Sequence, residues 1–452
     1  MTLHRFPCGK IGSTLGLSSN LGTNSPKKNR ILKTGLLAIN ALTLLLASIT
    51  VQAAPDQKLL EAAKLAESSV IDSLKTMVLI ESGSGDKVGL AKMAEFLDDR
   101  LKSLGFTTRR EKALAAPDKL PSNGADIVVG TLRGSGKGKI MMQAHMDTVY
   151  EKGILQTQPF RIVGNQVFGP GIADDKGGIS VILHALKILN EAGWKDFHTL
   201  TVLFNPDEEI GSRGSGELIS SLADQHQTVL SFEPTGAKAV AKTEALLLGA
   251  AGGSRVRLEV KGVAAHVGVA PDLGRNAVLE LAHQMLQTKD LAKDIPGVTL
   301  HWTNIKADQA LNQIPNLAVA EGDSRITVPG AEVKLNAALQ AKINNSKLIP
   351  DTTTTVTLVL GRPAFLAGAK GLALAQRAQG IYKEIDRELN LVPMTGGGTD
   401  AGYAVRSGKA TVLESFGLAG FGFHAKDEYI EIDSIVPRLY LTTRLLMELG
   451  KE

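Results

Sequence analysis

One cysteine, Cys8, is all that the 452 residues contain, and it falls within an N-terminal stretch with the layout of a removable leader. The mature chain would hold none, which excludes both a disulfide framework and thiol catalysis. No internal repeat is visible, and no low-complexity tract lies beyond the leader. With 43% apolar and 21% charged residues the chain is neither disordered nor fibrous. A strong charge imbalance is missing too. The net charge of +4 comes from 50 Lys+Arg against 46 Asp+Glu. Arg5, Lys10, Lys27, Lys28, Arg30 and Lys33 lie in the first 53 residues, which carry no acid; the remainder holds 44 basic against 46 acidic groups, a net −2. Nucleic-acid binding by bulk electrostatics is not supported.

Lys27-Lys28-Asn29-Arg30-Ile31-Leu32-Lys33 precedes an apolar run, Thr34 to Thr50, and then the small residues of Val51-Gln52-Ala53-Ala54-Pro55. This is the three-part order of a secretory signal. An uncleaved anchor helix is the alternative, since the run approaches the lower limit for spanning a bilayer. Cleavage is the better reading because the small-residue site follows at once, and it implies a periplasmic or secreted protein with no stable membrane association. Without disulfides, such a protein relies on core size or a bound metal.

From Asp56 to Leu104 apolar residues recur at helical spacing. Ile127–Leu132, Lys139–His145 and Leu200–Phe204 then read as buried strands, and Gly178–Glu191 as a helix. Strands alternating with helices predict an α/β layered sheet, whose chemistry collects at the carboxyl ends of its strands. Between about Ser254 and Arg362 the order changes to strand, helix, strand, strand, helix, strand: Val256–Val260, Asn276–Gln287, Thr299–Lys306, Leu317–Thr327, Glu332–Ile343 and Thr354–Leu360. That βαββαβ order is ferredoxin-like. Helices from Leu372 and over Arg438–Leu449 resume the first pattern. The expected organisation is a leader (1–53), a catalytic α/β/α domain in two segments (54–250 and 363–452), and an inserted domain (251–362).

Five stretches carry residues suited to chemistry. In His145-Met146-Asp147, at a strand end, residues two apart share a face, so the Asp can hold the imidazole tautomer. A lone His-x-Asp is common by chance. Asp174-Asp175, between Gly169-Pro170-Gly171 and Lys176-Gly177-Gly178, is a solvated turn or helix cap as readily as a ligand. Asp207-Glu208-Glu209 follows a strand, where three acids repel unless a cation or shared proton relieves them. Glu233 follows Val229-Leu230, and His424 ends Gly420-Phe421-Gly422-Phe423. Each has a structural explanation on its own. Together they place two imidazoles and several carboxylates at the strand ends of one sheet, an inventory that suits two zinc ions bridged by a carboxylate.

The ordered set His145-x-Asp147, Asp174-Asp175-Lys176-Gly-Gly, Asp207-Glu208-Glu209-x-Gly-Ser, Phe232-Glu233-Pro234 and Gly-Phe-His424 resembles the M20 family of zinc peptidases, closest to its bacterial glutamate-carboxypeptidase type. The likeness extends to Gly361-Arg362-Pro363-Ala364-Phe365 and Thr395-Gly396-Gly397-Gly398-Thr399-Asp400. The resemblance implies two Zn2+ per subunit, with Asp174 bridging, His145 and Glu233 on one ion, and Glu209 and His424 on the other. It makes Asp147 the orienting group of His145. Glu208 becomes the general base that takes the proton of a zinc-held water and returns it to the leaving nitrogen. His266, in the insert, would steady the oxyanion in a partner subunit's site, which requires a homodimer. The activity implied is hydrolysis of the amide bond before a C-terminal amino acid, on peptides, N-acyl amino acids or folate-type conjugates.

A free terminal carboxylate calls for an arginine fork. Arg362 is the candidate by likeness of its segment, with Asn312, Arg325, Gly397 and Thr399 as further contacts. In glutamate-specific relatives a Lys and a Ser before the insert's first strand read the substrate side chain. Counting back from His266, those positions fall on Ala245 and Leu247. A more apolar pocket is expected, and with it an alternative activity: an N-acyl-amino-acid deacylase that favours hydrophobic residues.

Overall fold

The structure, a computed structural model, describes residues 54–116 and 120–452. The leader reading over residues 1–53, Cys8 included, lies outside the described residues. Among the described residues no helix is long and apolar enough to cross a membrane.

The first helical pattern resolves into two helices, Gln57–Val78 and Lys87–Ser103, capped by Asp56 and Asp86, whose carboxylates accept first-turn N–H groups. The break between them was not foreseen. There the chain runs alongside Thr148: Ser84 N–H donates to Thr148 O at 3.0 Å, and a Cβ on Gly83 would stand 2.2 Å from Tyr150 O. Only glycine admits that approach.

Six strands form the main sheet, in the order Thr107–Lys112, Asp126–Arg133, Thr199–Asn205, Lys139–His145, Thr228–Ser231, Thr411–Leu413. The last four run parallel, and the first two are antiparallel additions. Successive side chains of a strand face opposite ways. Ile140, Met142, Val202 and Phe204 accordingly join one core, with the helices Gln57–Val78, Lys176–Glu191 and Ile435–Leu449. Met141, Leu203 and Val229 join another, beneath Gly216–Ala223 and Ala401–Val405. The result is the expected α/β/α sandwich. Both faces of the parallel strands are covered, which is why they read as unbroken apolar runs.

The βαββαβ unit is present: Gly252–Lys261, Ala277–Thr288, Val298–Lys306, Leu317–Ile326, Ala331–Asn345 and Thr353–Leu360. Its four strands form an antiparallel sheet with Leu317–Ile326 and Gly252–Lys261 central. Val256, Leu258 and Val260 face the two helices and build a core with Leu281, Leu335 and Leu339. The opposite face, with Gly253, Arg255 and Arg257, is half-buried. Where the chain enters and leaves this unit, Gly249–Ala250 pairs with Phe365–Leu366. Main sheet and insert pack into one compact body.

Candidate active site

Register explains why residues distant in sequence meet. His145 lies opposite Asn205 on adjacent parallel strands, Gln143 opposite Ser231, and Leu413 opposite Leu230. All four strands therefore end at one edge, and the segments leaving them carry Asp147, Glu208-Glu209, Glu233 and Glu414. His424 arrives from elsewhere, in the turn between the short antiparallel strands Ala419–Phe421 and Tyr429–Glu431.

Asp174 sits between the two imidazoles. Its Oδ1 is 2.9 Å from His145 Nε2 and its Oδ2 3.4 Å from His424 Nε2. Glu233 Oε2 lies 3.8 Å from His145 Nε2, and Glu209 Oε2 lies 3.1 Å from His424 Nε2. The ring of His145 is fixed from behind, its Nδ1 facing the Asp147 carbonyl at 3.0 Å and the Asp147 carboxylate at 3.4 Å. A proton on Nδ1 suits those acceptors and leaves Nε2 as the free donor atom.

Fully buried Asp147 does more than orient that ring. Its Oδ1 accepts the Glu208 N–H at 3.0 Å, and its Oδ2 accepts the Glu209 N–H at 3.2 Å and the Ser84 hydroxyl at 2.7 Å. The three successive acids are relieved separately. Asp207 turns back into its own loop, accepting from Gly214 N–H at 2.7 Å and Ser122 Oγ at 3.0 Å. Glu209 turns to His424. Glu208 Oε1 stands 2.6 Å from Arg362 Nη1.

The Asp174 loop hangs on a residue that sequence reasoning missed. Glu428, buried, accepts N–H bonds from Gly171, Ala173 and Asp174 at 2.8, 2.8 and 3.0 Å, and the Tyr150 hydroxyl at 2.8 Å. The peptide between Asp174 and Asp175 is cis. Asp175 caps the helix Lys176–Glu191, and a Cβ on Gly178 would stand 2.1 Å from Phe232 O. Glu414 was missed as well. It holds the Glu233 N–H at 3.2 Å and the Thr399 hydroxyl at 2.5 Å. Its signal was available, an acid directly after an apolar strand, the same pattern as Glu233. Glu428 had none.

So many acids at one edge perturb one another. Burial pushes Glu233 up to about 8, with Asp174 and Glu414 adding to the rise and His145 opposing it. Burial likewise drives Glu208 well above the usual carboxylate range against the pull of Arg362, and raises Glu209. Burial would lower His145, yet Glu233, Asp147 and Asp174 hold it well above the ordinary imidazole value. Hydrogen bonds to Asp174 and Glu209 lift His424 to about 10. Asp174 moves the other way, since both imidazoles outweigh its burial. Acids raised by crowding mark a place where a cation is stabilising. Donor atoms of His145, Asp174 and Glu209 lie within 4.8 Å of one another, and so do those of His145, Glu208 and Glu233. Imidazole nitrogen with carboxylate oxygen is a donor set that fits zinc.

Residues 141–448 match the family model described as peptidase family M20/M25/M40. Carboxypeptidase G2 of Pseudomonas sp. (strain RS-16) is 42% identical over 419 residues, 92% of this chain and 98% of that one. The chain belongs to the M20 peptidase family. It is a metallo-exopeptidase of the carboxypeptidase type, in a family that depends on metal, typically zinc. Solved structures share the M20 fold. A tripeptidase from Staphylococcus aureus has a TM-score of 0.68 at 18% identity, covering 85% of this chain and 99% of its own. An M20 family metallo-carboxypeptidase from Sulfolobus solfataricus has 0.64 at 17%, covering 85% and 98%.

The remaining candidates divide. Arg325, Gly397 and Thr399 line the cavity of about 580 Å³ above the cluster, as does Leu247, beside Phe423 and Pro234. Ala245 is buried in a strand pair with Asn390 and does not line it. Arg362 reaches the cavity but is occupied: besides Glu208 Oε1 it donates to the Glu208 carbonyl, and its Nε lies 3.5 Å from Asp400. His266 and Asn312 are exposed on the insert, beside the Ala265–His266 and Gln313–Ile314 strand pair, and neither lines this cavity.

Proposed function

We propose that this M20 peptidase is an exported, homodimeric, dinuclear zinc carboxypeptidase. It would hydrolyse the amide bond before a C-terminal amino acid in peptides, N-acyl amino acids and folate-type conjugates. The observation that carries the reading is Asp174 standing between His145 and His424, with Glu233 and Glu209 on the outer sides. His145, Asp174 and Glu233 would hold one zinc, and Asp174, Glu209 and His424 the other. When bound, the metal supplies Lewis acidity to the scissile carbonyl and lowers the pKa of the attacking water.

The chain's own residues do the rest. Glu208 accepts the proton of the attacking water and passes it to the leaving nitrogen, while Arg362 fixes its carboxylate in place. Asp147 sets the direction of both His145 and the Glu208 backbone. Arg325, exposed at the mouth of the cavity, meets the terminal carboxylate. His266, exposed and outside this cavity, would act in a partner subunit's site. Leu247 on the cavity wall favours a second reading, an N-acyl-amino-acid deacylase with hydrophobic preference.

A panel of N-acyl amino acids and dipeptides, assayed with and without chelator alongside metal analysis, tests both readings. The expected outcome is two zinc ions per chain and chelator-sensitive release of the C-terminal residue. Chelator-resistant turnover, or activity only on free amino termini, would overturn the proposal.

A further inference from the structure

Three rooms meet at Glu209. One is the cavity over the cluster. A second, of about 520 Å³, is bounded by Gly83–Asp86 and Thr148–Lys152; its cation, Lys152, is paired with Asp86 at 3.9 Å, and no arginine is among its described lining residues. The third, of about 450 Å³, lies between the uncovered face of the inserted sheet and the loop after Glu209; it shares Glu209, Arg325, Arg362 and Gly398 with the cluster cavity. Two further arginines line this third room alone, Arg213 from the loop and Arg255 from the sheet.

Their placement follows from register. Arg255 lies opposite Asp323, and Gly253 opposite Arg325, on neighbouring antiparallel strands. Residues two apart share a face, so Arg255 and Arg325 stand side by side on the face turned to the loop. Arg325 has an exposed partner in Asp323 at 2.8 Å. Arg255 shares Glu321 with Arg257. Among the described residues the Arg213 guanidinium hydrogen-bonds to the Pro121 carbonyl alone, at 3.2 Å. Burial and the nearby charge of Arg255 both weaken its hold on the proton, with Asp207 a lesser counterweight. A half-buried arginine facing a second arginine, with no carboxylate bonded to it among the described residues, is a place prepared for an anion.

We propose that Arg213 and Arg255 form a specificity site for a second carboxylate on the leaving unit, beyond the one met by Arg325. This rests on the carboxypeptidase reading. The room adjoins the cluster through Arg325, the guanidinium given to the terminal carboxylate, whereas the acyl part of the substrate has the arginine-free room on the other side. The Lys and Ser of glutamate-specific relatives are absent at Ala245 and Leu247; here positive charge comes from the adjoining room. That second carboxylate is the side chain of an acidic C-terminal residue.

The test compares kcat/KM for benzoyl-Glu and benzoyl-Gln in the zinc-loaded wild type, Arg213→Gln, Arg255→Gln and Arg213→Lys. Side-chain recognition gives a Glu over Gln preference of about 10- to 100-fold, which collapses toward one in both Gln variants and is partly kept by Lys. Hydrolysis without a preference for Glu over Gln, or a preference that the variants leave alone, overturns the site while the carboxypeptidase reading stands. If nothing is hydrolysed, that reading falls, and calorimetric titration with glutarate and butyrate judges the site alone. Tighter glutarate binding, lost in Arg213→Gln, supports it; equal binding overturns it.

Discussion

Arg362 Nη1 lies 2.6 Å from Glu208 Oε1, and the pair is nearly closed to solvent, with side chains 11% and 8% exposed. Likeness of segment casts Arg362 as the anchor of the substrate carboxylate; its geometry makes it first the partner of Glu208, the proposed general base. The two roles separate kinetically. Replacing Arg362 with Met is expected to lower kcat by at least about tenfold with a smaller change in KM, because the base loses its position rather than the substrate its anchor. A large rise in KM at unchanged kcat would return Arg362 to the substrate. The variant also strands a buried carboxylate, so thermal unfolding should show destabilisation of about 3 kcal/mol.

Glu208 carries the sharpest expectation. Glu208→Gln keeps the shape and the Arg362 contact but cannot take a proton. Turnover should fall by about 100- to 10,000-fold, while metal content measured by mass spectrometry stays at the wild-type level. Loss of metal together with activity would recast Glu208 as a ligand, a role its proximity to His145 and Glu233 makes worth checking.

Much of this site is legible in the sequence alone. Acids and histidines directly after apolar strands were found because the parallel strands end at one edge, and a strand's apolar run is a local signal. The βαββαβ unit was found for the same reason, its elements departing from the expected bounds by only a few residues. What stayed hidden depends on contacts across the fold. The loop at Gly83 exists because the chain must pass Tyr150. Glu428 reaches the Asp174 loop from more than 250 positions away in sequence. The Arg362 to Glu208 pair joins two chain segments separated by most of the insert. Arg213 and Arg255 share one room although one stands in a catalytic loop and the other in the inserted sheet. No periodicity reports such meetings.

Asp147 joins two functions through one carboxylate and its own carbonyl, holding His145 on one side and the Glu208-Glu209 backbone on the other. Asp147→Asn should therefore weaken zinc binding by about 10- to 100-fold and also depress turnover at saturating zinc, since the base is displaced. Competition against a zinc chelator measures the first, and steady-state kinetics in excess zinc the second. Full recovery of kcat by added zinc would confine Asp147 to the metal.

Away from the cluster, His184 is expected to set part of the acid stability. Its ring is 7% exposed and its Nε2 lies 2.9 Å from the Ser73 hydroxyl. Burial, then the positive charges of Lys187 and Arg100, pull its pKa from 6.5 down to about 4. Asp72 and Glu191 line the same hollow. In the folded chain the ring is neutral down to about pH 4, while the unfolded chain takes up a proton near 6.5. Stability from this site is thus complete above about pH 6.5 and is lost progressively as the pH falls toward 4. The drop from 6.5 to about 4 limits the effect to roughly 3 kcal/mol. Denaturant unfolding of wild type and His184→Gln at pH 7.5 and pH 4.5 reads it directly. The stability difference between the two proteins should shift in favour of the variant at the lower pH, and a difference that stays constant with pH would show that His184 does not titrate in this window.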